Sequence, residues 1–523
     1  MKQFCSPLEV VSIFLGNGDG TFKPNVDYGS DGGPGALAVG DFNRDGQIDL
    51  AIANFNGNNA THVSTLLGNG DGTFGRVSSY GTGQHPTGVV SADFNGDGNP
   101  DLATVNTYDS TVSVLLGLGR GKFGSAANYA VNSDQYYGAI VSADFNGDGH
   151  PDLATINFSA GAVSILLNEG NGTFGTYKDY PAGPSPQSLV AGDFNNDQKM
   201  DLVVGNLGAD ASLLLGNGNG GFQAPIPIAS GLGPYAMAVA DFNGDGNLDL
   251  ATVNGSQSSS VVSILLGAGN GTFATAVNYS TGSGPAAIVA ADLNKDGKVD
   301  LAVLTTFLAG VSILLGNGDG TFQNYSSYPV PNYSFGLLAA DFNGQNNLDL
   351  AVLNQASSYA VELLAGDGQG HFSSATPYYP GIGPASFVAA DFDKSGSTDL
   401  AVTNAIYLTS SVTILLNTAV AALSLDGLHF PPTAVGTQSQ PMKVQFSNPG
   451  TVSVKIRSIS ISGANAGDFV QTSTCGNNVA VGASCTVTLT FRPSQKGKRS
   501  ALLKFTDNAI AGTQVVSLAG TGR

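Results

Sequence analysis

A nine-residue acidic segment, DFNRDGQID at Asp41 to Asp49, returns eight times along 523 residues. Its copies begin at Asp41, Asp93, Asp144, Asp193, Asp241, Asp292, Asp341 and Asp391, at steps of 52, 51, 49, 48, 51, 49 and 50 residues. A unit that recurs at this period restricts the chain to a solenoid, a propeller or an array, because each unit must bury its apolar face on its neighbours. Around each copy run short segments rich in Val, Ile, Leu and Phe, closed by Gly, Asn and Asp clusters, such as Val90 to Asn106 and Val112 to Phe123. That pattern predicts four antiparallel strands per repeat, and no segment carries the 3.6-residue apolar period of a helix.

Four strands taken about eight times indicate an all-β propeller. The first strand of each repeat is small, with Ala38, Gly40, Ala92, Ala143, Ala240, Ala290 and Ala291, as innermost strands crowding a central channel must be. A Phe at one register (Phe22, Phe74, Phe123 and their equivalents) is expected to pack between blades. The ends of the repeat region, Val10 to Tyr28 and Phe387 to Leu416, complete one blade if joined. Eight blades are therefore expected, with seven as the alternative, and one third-strand segment is left without a place. The 72 Gly and 11% charged residues suit a turn-dense β fold. The longest apolar run, Ser411 to Leu425, is broken by Asn417 and Thr418, so no membrane span is expected.

The repeated segment has the chemistry of a hard-cation loop. Side-chain oxygens fall at positions 1, 3, 5 and 9, a backbone carbonyl is available at position 7, and a glycine at position 6 permits a sharp turn; hard oxygen donors suit Ca²⁺ rather than Zn²⁺. Position 12 is not Glu, and the flanks read as strands, which separates these loops from an EF-hand. Six copies are complete: Asp41, Asn43, Asp45 and Asp49; Asp93, Asn95, Asp97 and Asp101; Asp144, Asn146, Asp148 and Asp152; Asp193, Asn195, Asp197 and Asp201; Asp241, Asn243, Asp245 and Asp249; Asp292, Asn294, Asp296 and Asp300. The fourth lacks the glycine (Gln198). The seventh has Gln345 at position 5 and is expected to be weak or empty. The eighth, with Asp391, Asp393, Ser395 and Asp399, is expected to bind moderately. An acidic hairpin turn without metal is the competing reading. A second motif, GNGDGTF, loses its acid in several copies (Arg120, Asn171, Asn219, Asn270) and reads as a turn.

The joined pattern DFNGDGxxDLAV and VSILLGNGDGTF resembles the FG-GAP/VCBS repeat, which also builds the head propeller of integrin α chains. The resemblance spans about residues 10 to 418. It implies a β-propeller with several structural Ca²⁺ ions at hairpin loops on one face, and a ligand face opposite. Its members serve in adhesion, in carbohydrate binding and, in some cases, as lyases.

The composition changes after Asn417. Residues 424 to 523 carry nine Lys and Arg against three Asp, a net +6, while the chain as a whole is −19, which leaves −25 for residues 1 to 418. An acidic propeller is a poor partner for nucleic acid. Lys496, Lys498 and Arg499 are expected on a solvated hairpin turn. Alternating runs such as Lys443 to Phe446 and Val487 to Phe491 predict an immunoglobulin-like β-sandwich. Domains are placed at 1–418 and 424–523 with a linker at 419–423. LHFPPTAVGT, VQFSNPGT and CTVTLTFRP are similar to the ASH (abnormal-spindle/Hydin-like) domain, whose bacterial copies are often appended to extracellular repeat proteins; the resemblance implies a spacer or interaction module. Cys475 and Cys485, ten apart, favour a disulfide over two buried thiols and hence an oxidising compartment; Cys5 is unpaired. An extracellular or cell-surface location is expected, although no signal peptide is visible. The chain begins inside a repeat, so a truncated start, and a monomeric propeller within a larger secreted protein, are expected.

No hydrolase motif, zinc spacing or Cys/His pair is present, and the five His are scattered, so an enzyme is not expected. The leading expectation is a calcium-stabilised binding or adhesion protein whose ligand, a glycan or a surface protein, meets the face opposite the acidic loops. Aromatics gather in its variable segments: Tyr108, Tyr136, Tyr137, Tyr235, Tyr333, Tyr359 and Tyr407, with His85. Ordinary exposed turn residues are the bland reading of the same Tyr set. A polysaccharide lyase and a spacer without a specific ligand are the alternatives.

Overall fold

The computed structural model describes the chain except residues 1–10, 17–21, 31, 57–60, 133–137, 232, 255–258, 308–309, 356–359, 381–383, 395–397, 407–408, 417–421, 426, 449–453, 481–482 and 508–512, and gives backbone alone at 11–16, 22–27, 56, 405–406 and 409–416. Cys5, Tyr136, Tyr137, Tyr359, Tyr407 and Ser395 lie outside the described residues. The structure is all-β; one 3-10 turn, Ala466–Asp468, is the only helical element among the described residues.

The first repeat is an antiparallel meander of β3 (Gly33–Gly40), β4 (Asp49–Asn56), β5 (His62–Leu66) and β6 (Ser78–Gly81), in that order across the sheet. Six further four-stranded sheets repeat it. The second strand of each is buried on both faces because it lies mid-sheet between neighbouring sheets; all six residues of Asp101–Asn106 and of Asp249–Asn254 are buried. Register is fixed at the acidic loop, where the last residue of strand one pairs with position 9: Gly40 with Asp49, Ala92 with Asp101, Ala240 with Asp249.

The last repeat is completed by the start of the chain. Strands Pro384–Ala390, Asp399–Ile406 and Thr409–Leu416 share a five-stranded sheet with β1 (Val11–Gly16) and β2 (Phe22–Tyr28). The third-strand segment that the sequence leaves over is β1: it runs parallel to Thr409–Leu416 and antiparallel to β2, while Tyr28 also pairs with Val412.

One aromatic device joins sheet to sheet. Phe123 packs edge-on against Phe42 and Tyr80 of the preceding repeat, at ring separations of 5.7 and 5.3 Å. Phe174, Phe222 and Phe322 repeat this against Phe94 and Tyr129, Phe145 and Tyr180, and Phe242 and Tyr279. Phe74 of the first sheet does the same with Phe392 of the last sheet and Tyr28 of β2. The hydroxyl of Thr403 also donates to the Gly35 carbonyl. First and last sheets are thus neighbours, and the array closes on itself in a propeller-like arrangement.

Residues 422–523 form two sheets around a separate core. Strands Ala422–Leu423, Met442–Ser447, Ser484–Phe491 and Phe469–Ser473 make one sheet. Strands Gly427–His429, Thr513–Gly522, Gly497–Asp507, Val454–Ser462 and Asn478–Val479 make the other. Phe446 stacks on Phe505 at 4.8 Å, tying the two sheets together. Ala422 and Leu423, within the expected linker, already pair with Ser447 and Phe446. Cys475 and Cys485 are disulfide-bonded, with Cα atoms 4.9 Å apart. Arg499 departs from the expected solvated turn: its guanidinium meets the buried Asp468 carboxylate and the Ser494 hydroxyl, and the ion pair holds Asp468 below its usual range despite burial.

Candidate functional site

Two opposite ends of each sheet carry the candidate sites. At one end, each acidic loop is the connection between strands one and two. In the first loop, Asp41 accepts the Asp45 and Gly46 N–H groups through its two oxygens, at 3.1 and 2.8 Å. Asn43 Oδ1 accepts the Asp45 N–H, and Asp45 Oδ1 accepts the N–H of position 7. Positions 4 and 6 have left-handed backbone, with φ of 61° at Arg44 and 78° at Gly46. The fourth loop builds the same turn without glycine. Gln198 takes φ 63° and donates to Asp193 at 2.8 Å, so the missing glycine does not alter the loop.

Position 9 has a second task that sequence spacing alone does not reveal. Asp101 is fully buried; Oδ2 accepts the Phe94 N–H of its own loop and Oδ1 the Gly117 N–H of the turn after strand three. The same pair of bonds recurs at Asp49, Asp152, Asp201, Asp249 and Asp300. This carboxylate clamps the acidic loop to the GNGDGTF turn. Burial raises the pKa of Asp49, Asp101, Asp152, Asp201 and Asp300 to about 6, the two backbone N–H bonds oppose the rise, and the carboxylates at positions 5 and 1 add to it. A cation at the loop would relieve that repulsion.

The oxygen set fits a hard cation. Asp93 Oδ1, at position 1 of the second loop, is buried without a hydrogen-bond partner. In the eighth loop one oxygen each of Asp391, Asp393 and Asp399 lies within 4.8 Å of the others. Ligands across a Ca²⁺ ion stand about 4.6–5.2 Å apart, twice the usual 2.3–2.6 Å bond. The copies are not equivalent. Lys199 and Lys298, at position 7, extend their ammonium groups to Asp197 and Asp296 at 3.0 and 3.7 Å, and so compete for the position-5 carboxylate. In the seventh loop position 5 has no acid, and Asn343 turns inward to donate its amide to Asp349 at 2.9 Å. An amide donor there occupies an oxygen that a metal would need. Asp349 is raised furthest, to about 7, chiefly by burial.

At the opposite end the repeats diverge. His85 and Tyr108 stack face to face at 4.1 Å, and Phe55 meets His85 edge-on. Burial lowers the His85 pKa, which favours the neutral ring. Tyr235 and Tyr333 are brought into one cleft of about 340 Å³, together with Phe307, Phe335 and Gln355, which the sequence reading did not single out. The signal was present in the numbering. Phe307 stands seven residues after Asp300 as Tyr108 does after Asp101, and Phe335 stands six before Asp341 as Tyr235 does before Asp241. Tyr108 lies apart, in the cluster with His85.

Eight overlapping segments, 5–52, 41–104, 93–155, 144–204, 193–252, 249–303, 296–352 and 341–402, match the FG-GAP-like repeat. No curated protein matches the chain. Among solved structures, a protein from Lactobacillus plantarum is 14% identical, with a TM-score of 0.44 over 67% of this chain and 97% of that one. The rhamnogalacturonan lyase YesW is 12% identical, with a TM-score of 0.41 over 79% and 90%. The ASH/PapD-like domain 7 of human CEP192 is 16% identical, with a TM-score of 0.17 over 20% of this chain and 87% of that domain. No helix among the described residues is long and apolar enough to cross a membrane. The chain belongs to the FG-GAP-like repeat family.

Proposed function

We propose that this member of the FG-GAP-like repeat family is a calcium-stapled binding or adhesion protein of the cell exterior. In this reading it is an eight-bladed propeller followed by an immunoglobulin-type domain. The observation that carries it is the division of labour between the two ends of the sheets. One end repeats a single oxygen-rich loop with little change. The other varies and exposes aromatic rings: Tyr108, Tyr235, Phe307 and Tyr333 are all solvent-exposed.

Ca²⁺ would be held by positions 1, 3, 5 and 9 of the six complete loops and by Asp391, Asp393 and Asp399 of the eighth, and would neutralise carboxylates that otherwise repel across each hairpin. Those residues hold the hairpin and orient the strands; no chemical step is assigned to the metal. The Cys475–Cys485 bridge supports placement outside the cell. The experiment is a calcium titration of the chelated protein by calorimetry, followed on the same samples by thermal melting. Several equivalents bound with a rise in melting temperature support the reading. No uptake, or uptake without stabilisation, removes calcium as the staple.

A further inference from the structure

We infer that the cleft between repeats five, six and seven is a binding site for a short neutral saccharide. This deepens the binding reading above and rests on it, but not on calcium. Three neighbouring inner strands begin here. Six residues before their acidic loops they carry Tyr235, Ala286 and Phe335 in turn. The small residue between two rings leaves a gap, and Gly284 deepens it: the Phe307 ring lies within 2.2 Å of where a Gly284 Cβ would stand. Phe307 and Tyr333 form the remaining walls, 42% and 64% exposed.

Tyr333 is the telling residue. Its φ is 63°, a left-handed conformation that disfavours a bulky side chain. At the equivalent position, eight residues before the acidic loop, repeats five and six have Gly233 and Gly284, with φ of 77° and 69°. Repeats two and four hold His85 and Ser185 in the same conformation, with φ of 61° and 52°, so glycine is the residue this backbone prefers, and Tyr333 is the position where an exposed aromatic ring stands against that preference beside the cleft. Strain of this kind gathers at ligand sites.

The lining chooses the ligand class. None of the described lining residues is charged. The Tyr235, Tyr333 and Thr306 hydroxyls and the Gln355 amide oxygen offer uncharged partners, while the Gln355 amide nitrogen is held by the Pro384 carbonyl at 2.9 Å. Several aromatic rings lining one cleft, with a few neutral hydrogen-bonding groups, suit the apolar faces and hydroxyl rims of a pyranose. The volume of about 340 Å³ is at the low end for small-ligand sites. A carboxylated or sulfated glycan would meet the acidic repeat region, which carries −25 of formal charge against +6 in residues 424–523.

The test is titration of the full calcium-loaded chain with neutral gluco-, xylo-, manno- and N-acetylglucosamine oligomers and with oligogalacturonate. Binding is read by calorimetry and by tyrosine fluorescence, which is unobscured because the chain has no Trp. Saturable binding of at least one neutral oligomer, and none of oligogalacturonate, is expected. Tyr333→Gly should weaken it roughly tenfold, as loss of one ring stack does. It should not lower the melting temperature, because it restores the residue that the backbone prefers. Phe307→Ala should weaken binding likewise. No neutral oligomer bound, equal binding of oligogalacturonate, or unchanged affinity in Tyr333→Gly each overturns the proposal. So does binding of apolar peptides in place of sugars. Calcium uptake and EDTA melting are scored separately, so failure of the cleft and failure of the calcium staple give different results.

Discussion

The two ends of the sheets follow opposite rules. At the acidic-loop end, six copies keep the same four oxygen-bearing residues and the other two depart at position 5, and the differences among the described residues are small adjustments: a glutamine taking a glycine's conformation, a lysine reaching back to an aspartate, an asparagine folding inward. At the other end the turn geometry is kept while the side chains change freely, from Gly233 and Gly284 to His85 and Tyr333. Invariance at one end and variety at the other, on one backbone plan, separate side chains that the hairpin's own hydrogen bonds fix from side chains that it leaves free to vary.

The comparison can be broken most severely by removing calcium. Ligand binding to the native state alone stabilises by about 2.7 kcal/mol per site at a hundredfold excess over Kd. With several sites, EDTA should lower the calorimetric melting temperature by well over ten degrees, a rough figure for a summed loss of this size. An unchanged melt would reduce the loop end to ordinary turns.

The chelated protein should also respond to pH in a defined direction. The buried position-9 carboxyls have folded pKa values of about 6, above the ordinary 3.8. Their contribution to stability is fully present below about pH 4 and is lost as pH rises through about 6, because the folded state binds these protons more tightly than the unfolded chain. In EDTA, melting should therefore fall between about pH 5 and about pH 7. With calcium present the order should reverse, since ionised carboxylates are the ligands. A calcium-free melt that rises over the same range counts against this assignment.

Single substitutions sharpen the contrast between clamp and ligand. Asp101→Asn places an amide donor against two backbone N–H groups and should cost about 1–3 kcal/mol in urea unfolding, with or without calcium. Asp97→Asn, at position 5, should destabilise only the calcium form. If both variants behave alike, position 9 is a ligand and nothing more. Gln198→Gly removes left-handed strain and should stabilise by about 1 kcal/mol. Tyr108→Ala, at the variable end, should change stability by under about 0.5 kcal/mol.

Much of this was legible from residue spacing. The period announced a repeated sheet, the alternation of small and apolar runs ordered its strands, and the recurring Phe anticipated packing between sheets. These are local and repetitive signals, and eight copies average out the exceptions. The oxygen donors were equally visible, because all lie within nine residues. The position-9 clamp was not, since its second partner, Gly117 for Asp101, is 16 residues away across two strands. The seat of β1 was hidden for the same reason: a parallel pairing with Thr409–Leu416 spans nearly the whole repeat region and leaves no local mark. Arg499 looked like a surface cation until the fold brought Asp468, 31 residues earlier, beside it.

The sequence by itself determined the repeat, its strands and the oxygen chemistry of its loops, because each is written within one turn or one hairpin. Tertiary structure alone decided which residues from different repeats meet. Tyr235, Phe307 and Tyr333 are dozens of residues apart, and only the close packing of adjacent inner strands makes them walls of one cleft.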